Sequence, residues 1–247
     1  MLKIEHLSKT YPGGKKAVDD LSLEVRAGEL YGFIGHNGAG KTTTLRAVSG
    51  ILSFDEGSIS IDGHDVAKNP VAAKKVTAFL PDNPDMYEFL SGIKYLTFIA
   101  DIYSIPAEKR QPLIAKYSGA FELTSALGSP IGSYSHGMKQ KLALISAFIR
   151  EPRLLILDEP FVGLDPKASF QMKAFLRELC ENGGAVFFST HVLEVAEKLC
   201  DKIAIIKGGR LVEAGKTADI VGNSSLEHVF LELEAESAED SGIGVDK

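Results

Sequence analysis

Gly35 to Thr43 reads "GHNGAGKTT" and fits the pattern G-x-x-x-x-G-K-[ST]. Its flanks give the pattern meaning. Upstream, "ELYGFIG" (Glu29–Gly35) is a nearly continuous apolar run, as in a strand buried on both faces. Downstream, "KTTTLRAVSG" (Lys41–Gly50) reads as a helix ended by glycine. A strand, a glycine-rich turn and a helix are what a phosphate loop requires. The backbone across Gly35, His36, Asn37, Gly38, Ala39 and Gly40 can curl so that its N–H groups point at phosphate oxygens. The helix N-terminus adds a favourable dipole. Lys41 would reach the β and γ phosphates, Thr42 would ligate Mg²⁺, and Thr43 closes the stretch. His36 takes a variable position of the pattern and is expected to be exposed.

A second stretch supplies what the first lacks. "LLILDEP" (Leu154–Pro160) is an apolar strand ending in two carboxylates. Asp158 would hold Mg²⁺ through water, and Glu159 is placed to polarise an attacking water. Acids directly after a buried strand mark the end of a parallel sheet at which ligands bind. A metal, a cationic clamp and a water-orienting group together serve phosphoryl transfer.

Working outward, "LKIEHL" (Leu2–Leu7), "LSLEV" (Leu21–Val25) and "GSISIDG" (Gly57–Gly63) alternate as half-buried strands do. "KVTAFL" (Lys75–Leu80) is a strand stopped by Pro81. Leu90 to Arg150 is mostly helical, with breaks near Pro106 and at "GSPIGS" (Gly128–Ser133). After "LLILDEP" come an amphipathic helix (Lys167–Gly184), a buried strand "AVFFST" (Ala185–Thr190), a helix (His191–Cys200) and two strands around Gly208-Gly209. Strands alternating with helices imply an α/β fold with a largely parallel sheet covered on both faces. The expected organisation is one domain over 1–230. Its core is 1–85 and 151–225, with a helical lobe inserted at 86–150. The acidic tail, 231–247, is expected to fray.

The bulk numbers agree with a soluble globular chain. It has 247 residues, 45% hydrophobic and 24% charged, with a net charge of −6, which argues against a nucleic-acid partner held by a basic surface. Cys180 and Cys200 lie in helical patterns and read as reduced core thiols. No apolar run approaches ~18 residues, and the N-terminus has no signal-peptide apolar region. The chain is expected to be cytoplasmic or peripheral to a membrane.

Taken in order, these features resemble the ATP-binding cassette (ABC) ATPases over nearly the whole chain. Tyr11 precedes the phosphate loop. A helical insertion and "YSHGM" (Tyr134–Met138) follow, then "LLILDEP", "GLDP" (Gly163–Pro166) and a lone His191 after a strand. The resemblance implies a P-loop NTPase core with a mostly parallel sheet, an N-terminal antiparallel β-subdomain and an inserted α-helical subdomain. It implies ATP hydrolysis with Mg²⁺ by two cassettes closing head to tail, as a homodimer or a heterodimer. Tyr11 would stack on adenine, and His191 would contact the γ-phosphate. Asp165 would touch the partner cassette and help fix Glu159 and the water. Its position before Pro166 also reads as a helix N-cap. Ser135, His136, Gly137 and Met138 would face the ATP held by the other subunit. A Ser135–His136 dyad is excluded, since neighbours at a helix start point in different directions.

Two departures from the family pattern stand out. Asp82 in "FLPDNPDMYEFLS" (Phe79–Ser91) takes the place of a glutamine that senses Mg²⁺ and water. The usual Leu-Ser-Gly-Gly-Gln is Tyr134-Ser135-His136-Gly137-Met138. Both are familiar in ATPase subunits of ABC-2-type exporters. That likeness implies an integral membrane permease as partner and a place on the cytoplasmic face of the cell membrane. Met86, Tyr87, Phe89 and Leu90 either line the groove where the permease docks or form the core of the helical lobe. The competing readings are a soluble ABC ATPase of the cluster-assembly type and a regulatory cassette with weak turnover.

Overall fold

The structure is a computed structural model that describes residues 1–240. Its strands are β1 (Leu2–Thr10), β2 (Lys16–Val25), β3 (Leu30–Ile34), β4 (Glu56–Ile61), β5 (His64–Asp65), β6 (Thr77–Leu80), β7 (Leu154–Asp158), β8 (Ala185–Thr190), β9 (Lys202–Lys207) and β10 (Arg210–Lys216). The helices are α1 (Lys41–Val48), α2 (Pro70–Val76), α3 (Gly92–Ile102), α4 (Ala107–Ala120), α5 (His136–Phe148), α6 (Pro166–Glu181), α7 (Leu193–Leu199), α8 (Thr217–Val221) and α9 (Leu226–Asp240).

The strands form two sheets. The first has the order β2-β1-β4-β5. Its pairs are antiparallel, with Leu2 opposite Val25 on one side and Ile61 on the other. Alternate residues Leu2 and Ile4 are buried, as the sequence pattern requires. The second sheet has the order β10-β9-β3-β8-β7-β6. All its pairs are parallel except β9 with the edge strand β10.

Strands β3, β7 and β8 are buried along their whole length. Their alternate side chains feed two separate cores. Tyr31, Phe33, Leu154, Ile156 and Phe187 point to the core shared with the antiparallel sheet and α1. Leu30, Ile34, Leu155, Leu157 and Phe188 point to the core shared with helices α3 to α7. Truncating one of these leucines to alanine costs about 2–5 kcal/mol. The parallel sheet therefore holds the ends of β3, β7 and β8 rigidly along one edge, where the phosphate loop and the acids lie.

Three differences from the sequence reading have local causes. Helix α2 takes up Lys75 and Val76, so β6 begins at Thr77; Pro70 at the helix start favours this. The two-residue β5 is too short to show a period. The acidic stretch from Leu231 to Asp240, for which the sequence pattern supplies no element, continues helix α9. It is anchored by Leu226 and Phe230, both buried and four residues apart on one helix face. The rest of the expected tail, 241–247, lies outside the described residues. No helix among the described residues is long and apolar enough to cross a membrane.

Candidate active site

The phosphate-loop stretch connects the end of β3 to α1, and its glycines are sterically required. A Cβ on Gly35 would lie 2.4 Å from the Ile206 carbonyl oxygen. A Cβ on Gly40 would lie 2.4 Å from the Ala17 carbonyl oxygen, and Gly40 adopts φ 110° as the N-cap of α1. Only glycine meets both demands. Between them, the Ala39 N–H donates to the His36 carbonyl at 3.1 Å and turns the chain.

Lys41, the first residue of α1, is buried. Its Nζ donates to the Gly35 carbonyl at 2.5 Å and to the His36 carbonyl at 3.2 Å. It also pairs with Glu159 Oε1 at 3.7 Å. Burial lowers the Lys41 pKa, and the charges of Glu159 and Asp158 counteract that. Thr42 is exposed to the cleft and Thr43 is half-buried.

Strand β7 ends in Asp158, and the backbone then turns through Glu159 at φ 48°. A non-glycine residue in that left-handed region carries strain of order 1–3 kcal/mol, and here it aims the second carboxylate. Ser189 on β8, in register with Asp158, ties the two acids together. Its hydroxyl donates to Asp158 Oδ1 at 2.5 Å and accepts the Glu159 N–H at 3.2 Å. Glu159 Oε2 lies 3.0 Å from His191 Nδ1 and accepts the His191 N–H at 3.4 Å. Asp158 Oδ2 and Glu159 Oε1 are buried with no hydrogen-bond partner. Buried carboxylate oxygens without donors are costly, and here they sit beside a cleft.

That cleft measures about 250 Å³. Tyr11, His36, Asn37, Gly38, Gly40, Lys41, Thr42, Thr43, Asp82, Asp158 and Glu159 line it, with Lys15 and Ala17. Tyr11 stands at the rim, 36% exposed, with its hydroxyl 3.3 Å from Thr43 Oγ1. Asp82 is exposed and accepts the Asn83 N–H at 2.9 Å. His36 is exposed too, and its ring meets the edge of Phe230 with centroids 4.8 Å apart. A larger cavity of about 440 Å³, walled by Tyr117, Phe148 and Phe175, holds none of these groups.

The signature residues are not part of this cleft. Ser135 caps α5 and accepts the Met138 N–H at 3.3 Å. His136, Gly137 and Gly163 are crowded together: a Cβ on Gly137 would lie 3.0 Å from the Gly163 carbonyl oxygen, and one on Gly163 would lie 2.9 Å from His136 Cδ2. Asp165 caps α6, accepting the Ala168 N–H at 2.8 Å, and pairs with Lys141 at 2.6 Å. Lys141 and the Ala168 N–H hold its carboxyl below the usual range. Sequence reasoning missed Ser189 and Lys15. Ser189 is the one polar residue between "VFF" and Thr190 in an otherwise apolar strand, and that was its only signal.

The family model described as ABC transporter matches residues 18–162. The chain belongs to the ABC transporter family. It is an ABC-type ATPase, a nucleotide-binding subunit of the kind that serves transporters. This ABC protein is similar to the ATP-binding protein YhcH of Bacillus subtilis strain 168, at 36% identity over 220 residues, covering 89% of this chain and 71% of the relative. It is also similar to the linearmycin resistance ATP-binding protein LnrL of the same strain, at 34% identity over 223 residues, covering 89% and 70%. Among solved structures, an ATP-binding subunit of an ABC transporter superposes with a TM-score of 0.91 at 33% identity, over 95% of this chain and 99% of that one.

Proposed function

We propose that this ABC protein hydrolyses ATP in a head-to-tail dimer with a second cassette, and so drives export through a separate integral membrane permease. The observation that carries the reading is the convergence of Lys41, Asp158, Glu159 and His191 at one end of the parallel sheet. Two buried carboxylate oxygens there lack donors.

The loop from Gly35 to Thr43 cradles the phosphates, and Lys41 clamps them. It shifts its Nζ from the Gly35 and His36 carbonyls toward phosphate oxygens. Tyr11 stacks on adenine. Asp158, Thr42 and Asp82 present the hard oxygen donors that suit Mg²⁺, and the unpaired Asp158 Oδ2 fits that use. When bound, the metal supplies charge neutralisation at the phosphate oxygens. Glu159 takes the proton from the attacking water, and His191 holds the carboxylate in place and contacts the γ-phosphate. Ser135, His136, Gly137 and Met138, at the start of α5, complete the other subunit's site, with Asp165 at the same interface. Their absence from this chain's own cleft is what a site built across two molecules requires.

Residues 1–85 and 151–225 act as the catalytic core and 86–150 as the lobe that meets the permease, on the cytoplasmic face of the membrane. Tyr87 and Phe89 on that lobe are 51% and 80% exposed, which supports docking for these two, while Met86 and Leu90 pack against the core. The similar protein named for linearmycin resistance supports export.

The test is Glu159→Gln with ATP, followed by size-exclusion chromatography and a turnover assay. The expected result is a trapped dimer, with turnover lowered about 10²–10⁴-fold as for loss of a general base. A monomer with undiminished turnover rejects both the base and the shared site.

A further inference from the structure

One aromatic-walled cavity has no part in the site described above. It measures about 440 Å³, within the range of about 300–1,000 Å³ of small-molecule pockets. Tyr117, Phe148 and Phe175 wall it. Tyr117 stacks on Phe148 with centroids 5.4 Å apart and meets Phe175 edge-on at 4.9 Å. Arg153 and Gly184, which also line it, come directly before the parallel strands β7 and β8. The cavity therefore lies at the end of the parallel sheet opposite the phosphate loop.

The cavity already holds an ammonium. Lys116 Nζ lies 5.1 Å from the Tyr117 centroid and 5.5 Å from the Phe175 centroid, both within the cation–π reach of about 6 Å. It donates to Glu178 Oε1 at 2.6 Å. Glu151 is a second carboxylate of the lining, and its ion-pair partner Lys109 stands off at 3.8 Å. Burial raises the Tyr117 pKa; Lys116 opposes the shift, and Glu178 and Glu151 add to it. Both carboxylates therefore face that phenol. The other cation of the lining, Arg153, is turned to Asp62 at 3.5 Å.

Aromatic rings with carboxylates beside them are the recognition set for an alkylammonium. Lys116 supplies that group from within the chain, but loosely. Its side chain and that of Glu178 are both about half exposed, and an ion pair so placed is weak. Swinging Lys116 outward uncovers the rings and frees the Glu178 carboxylate.

We propose that this cavity binds a small amphiphilic ammonium, an apolar body carrying one primary amine, whose nitrogen replaces Lys116 Nζ between Glu178 and Glu151 while the body lies against Tyr117 and Phe175. The assignment is independent of the transporter reading. Lys116 and Tyr117 stand on α4, and Phe175 and Glu178 stand on α6. The ligand thus replaces one link between the inserted lobe and the core with another.

The experiment is isothermal titration calorimetry of the full chain at neutral pH. Phenylbutylammonium is the probe and phenylbutanol its uncharged control. The probe should bind about tenfold or more tighter than the alcohol, the value of one charge-assisted contact. Lys116→Ala removes the competing ammonium and should strengthen probe binding at least threefold. Glu178→Gln should weaken it about tenfold. Melts without probe check that both helix variants fold, and Glu151→Gln, outside any helix, tests a second carboxylate and should weaken binding several-fold. Saturating ADP should leave the probe's affinity within about twofold. Four results would overturn the site: equal binding of probe and alcohol, no gain with Lys116→Ala, no loss with either glutamate variant, or displacement of the probe by ADP, which would put it in the nucleotide cleft.

Discussion

The Ser189 hydroxyl bridges Asp158 and Glu159, donating to one side chain at 2.5 Å and accepting from the other's backbone at 3.2 Å. One small group on a neighbouring strand thus orients the carboxylate proposed for the metal and shares the Glu159 N–H with the Ser189 carbonyl, which accepts it at 3.2 Å as well. Ser189→Ala removes both bonds and leaves Asp158 Oδ1 buried without a donor. We expect turnover to fall about 10–100-fold, as for loss of a supporting group behind a metal ligand. Stability should fall by about 1–3 kcal/mol. Steady-state kinetics and a urea melt on the same variant separate the two effects, and unchanged kinetics would remove Ser189 from the site.

Asp82 stands at the cleft rim and is exposed, so its substitution should spare the fold. Asp82→Asn keeps the shape and removes the charge. If the carboxylate helps hold Mg²⁺, the metal concentration giving half-maximal turnover should rise several-fold, with the thermal melt unchanged. A metal titration with identical curves for both proteins would assign Asp82 no such role.

Gly40 is bound by both geometry and space. At φ 110°, with the Ala17 carbonyl where a methyl would go, Gly40→Ala should distort the loop at the start of α1. The expected outcome is a loss of about 1–3 kcal/mol of stability and at least a tenfold weaker affinity for ATP. Differential scanning calorimetry and a nucleotide titration report on each.

Alkaline stability follows from three buried groups. Burial pushes the Cys180 thiol up from 9.0 to about 11, pushes the Tyr31 phenol up from 10.0 to about 12, and raises Cys200 further. The folded chain keeps these protons longer than the unfolded chain does. Their contribution is therefore complete below about pH 9 and is lost as pH rises toward 11–12. Each tenfold difference in proton affinity is worth about 1.4 kcal/mol. Lys41, lowered by burial, acts in the opposite sense. Urea midpoints should be level up to pH 9 and then fall steadily, and a flat profile to pH 11 would contradict the burial of these groups.

Much of this was legible because it is local. The glycine spacing, the Lys41-Thr42 pair, the two acids after four apolar residues and the buried strands all fall within short windows. What escaped depends on distant partners. Ser189 meets Asp158 across 31 residues of sequence, and only the parallel register of β7 and β8 places them together. Arg150 reads as one more charge at a helix end until Tyr103 and the Thr77 carbonyl are set around it. Helix α2 hid because Val71 on it is exposed, which blurs the apolar period over only seven residues. The left-handed turn at Glu159 has no sequence signal, since glutamate is not a residue that favours it.

The central place of β3 bears on how the chain is made. Residues 30–34 leave the ribosome early, yet the strands on either side of them are 185–190 and 202–207. The phosphate loop hangs from that strand, and its His36 leans on Phe230 near the far end of the described chain. A nascent chain halted before β8 holds all of "GHNGAGKTT" but neither of the strands that pair with β3. Nucleotide capture must therefore wait for nearly complete synthesis, and pairings this distant in sequence make folding slow.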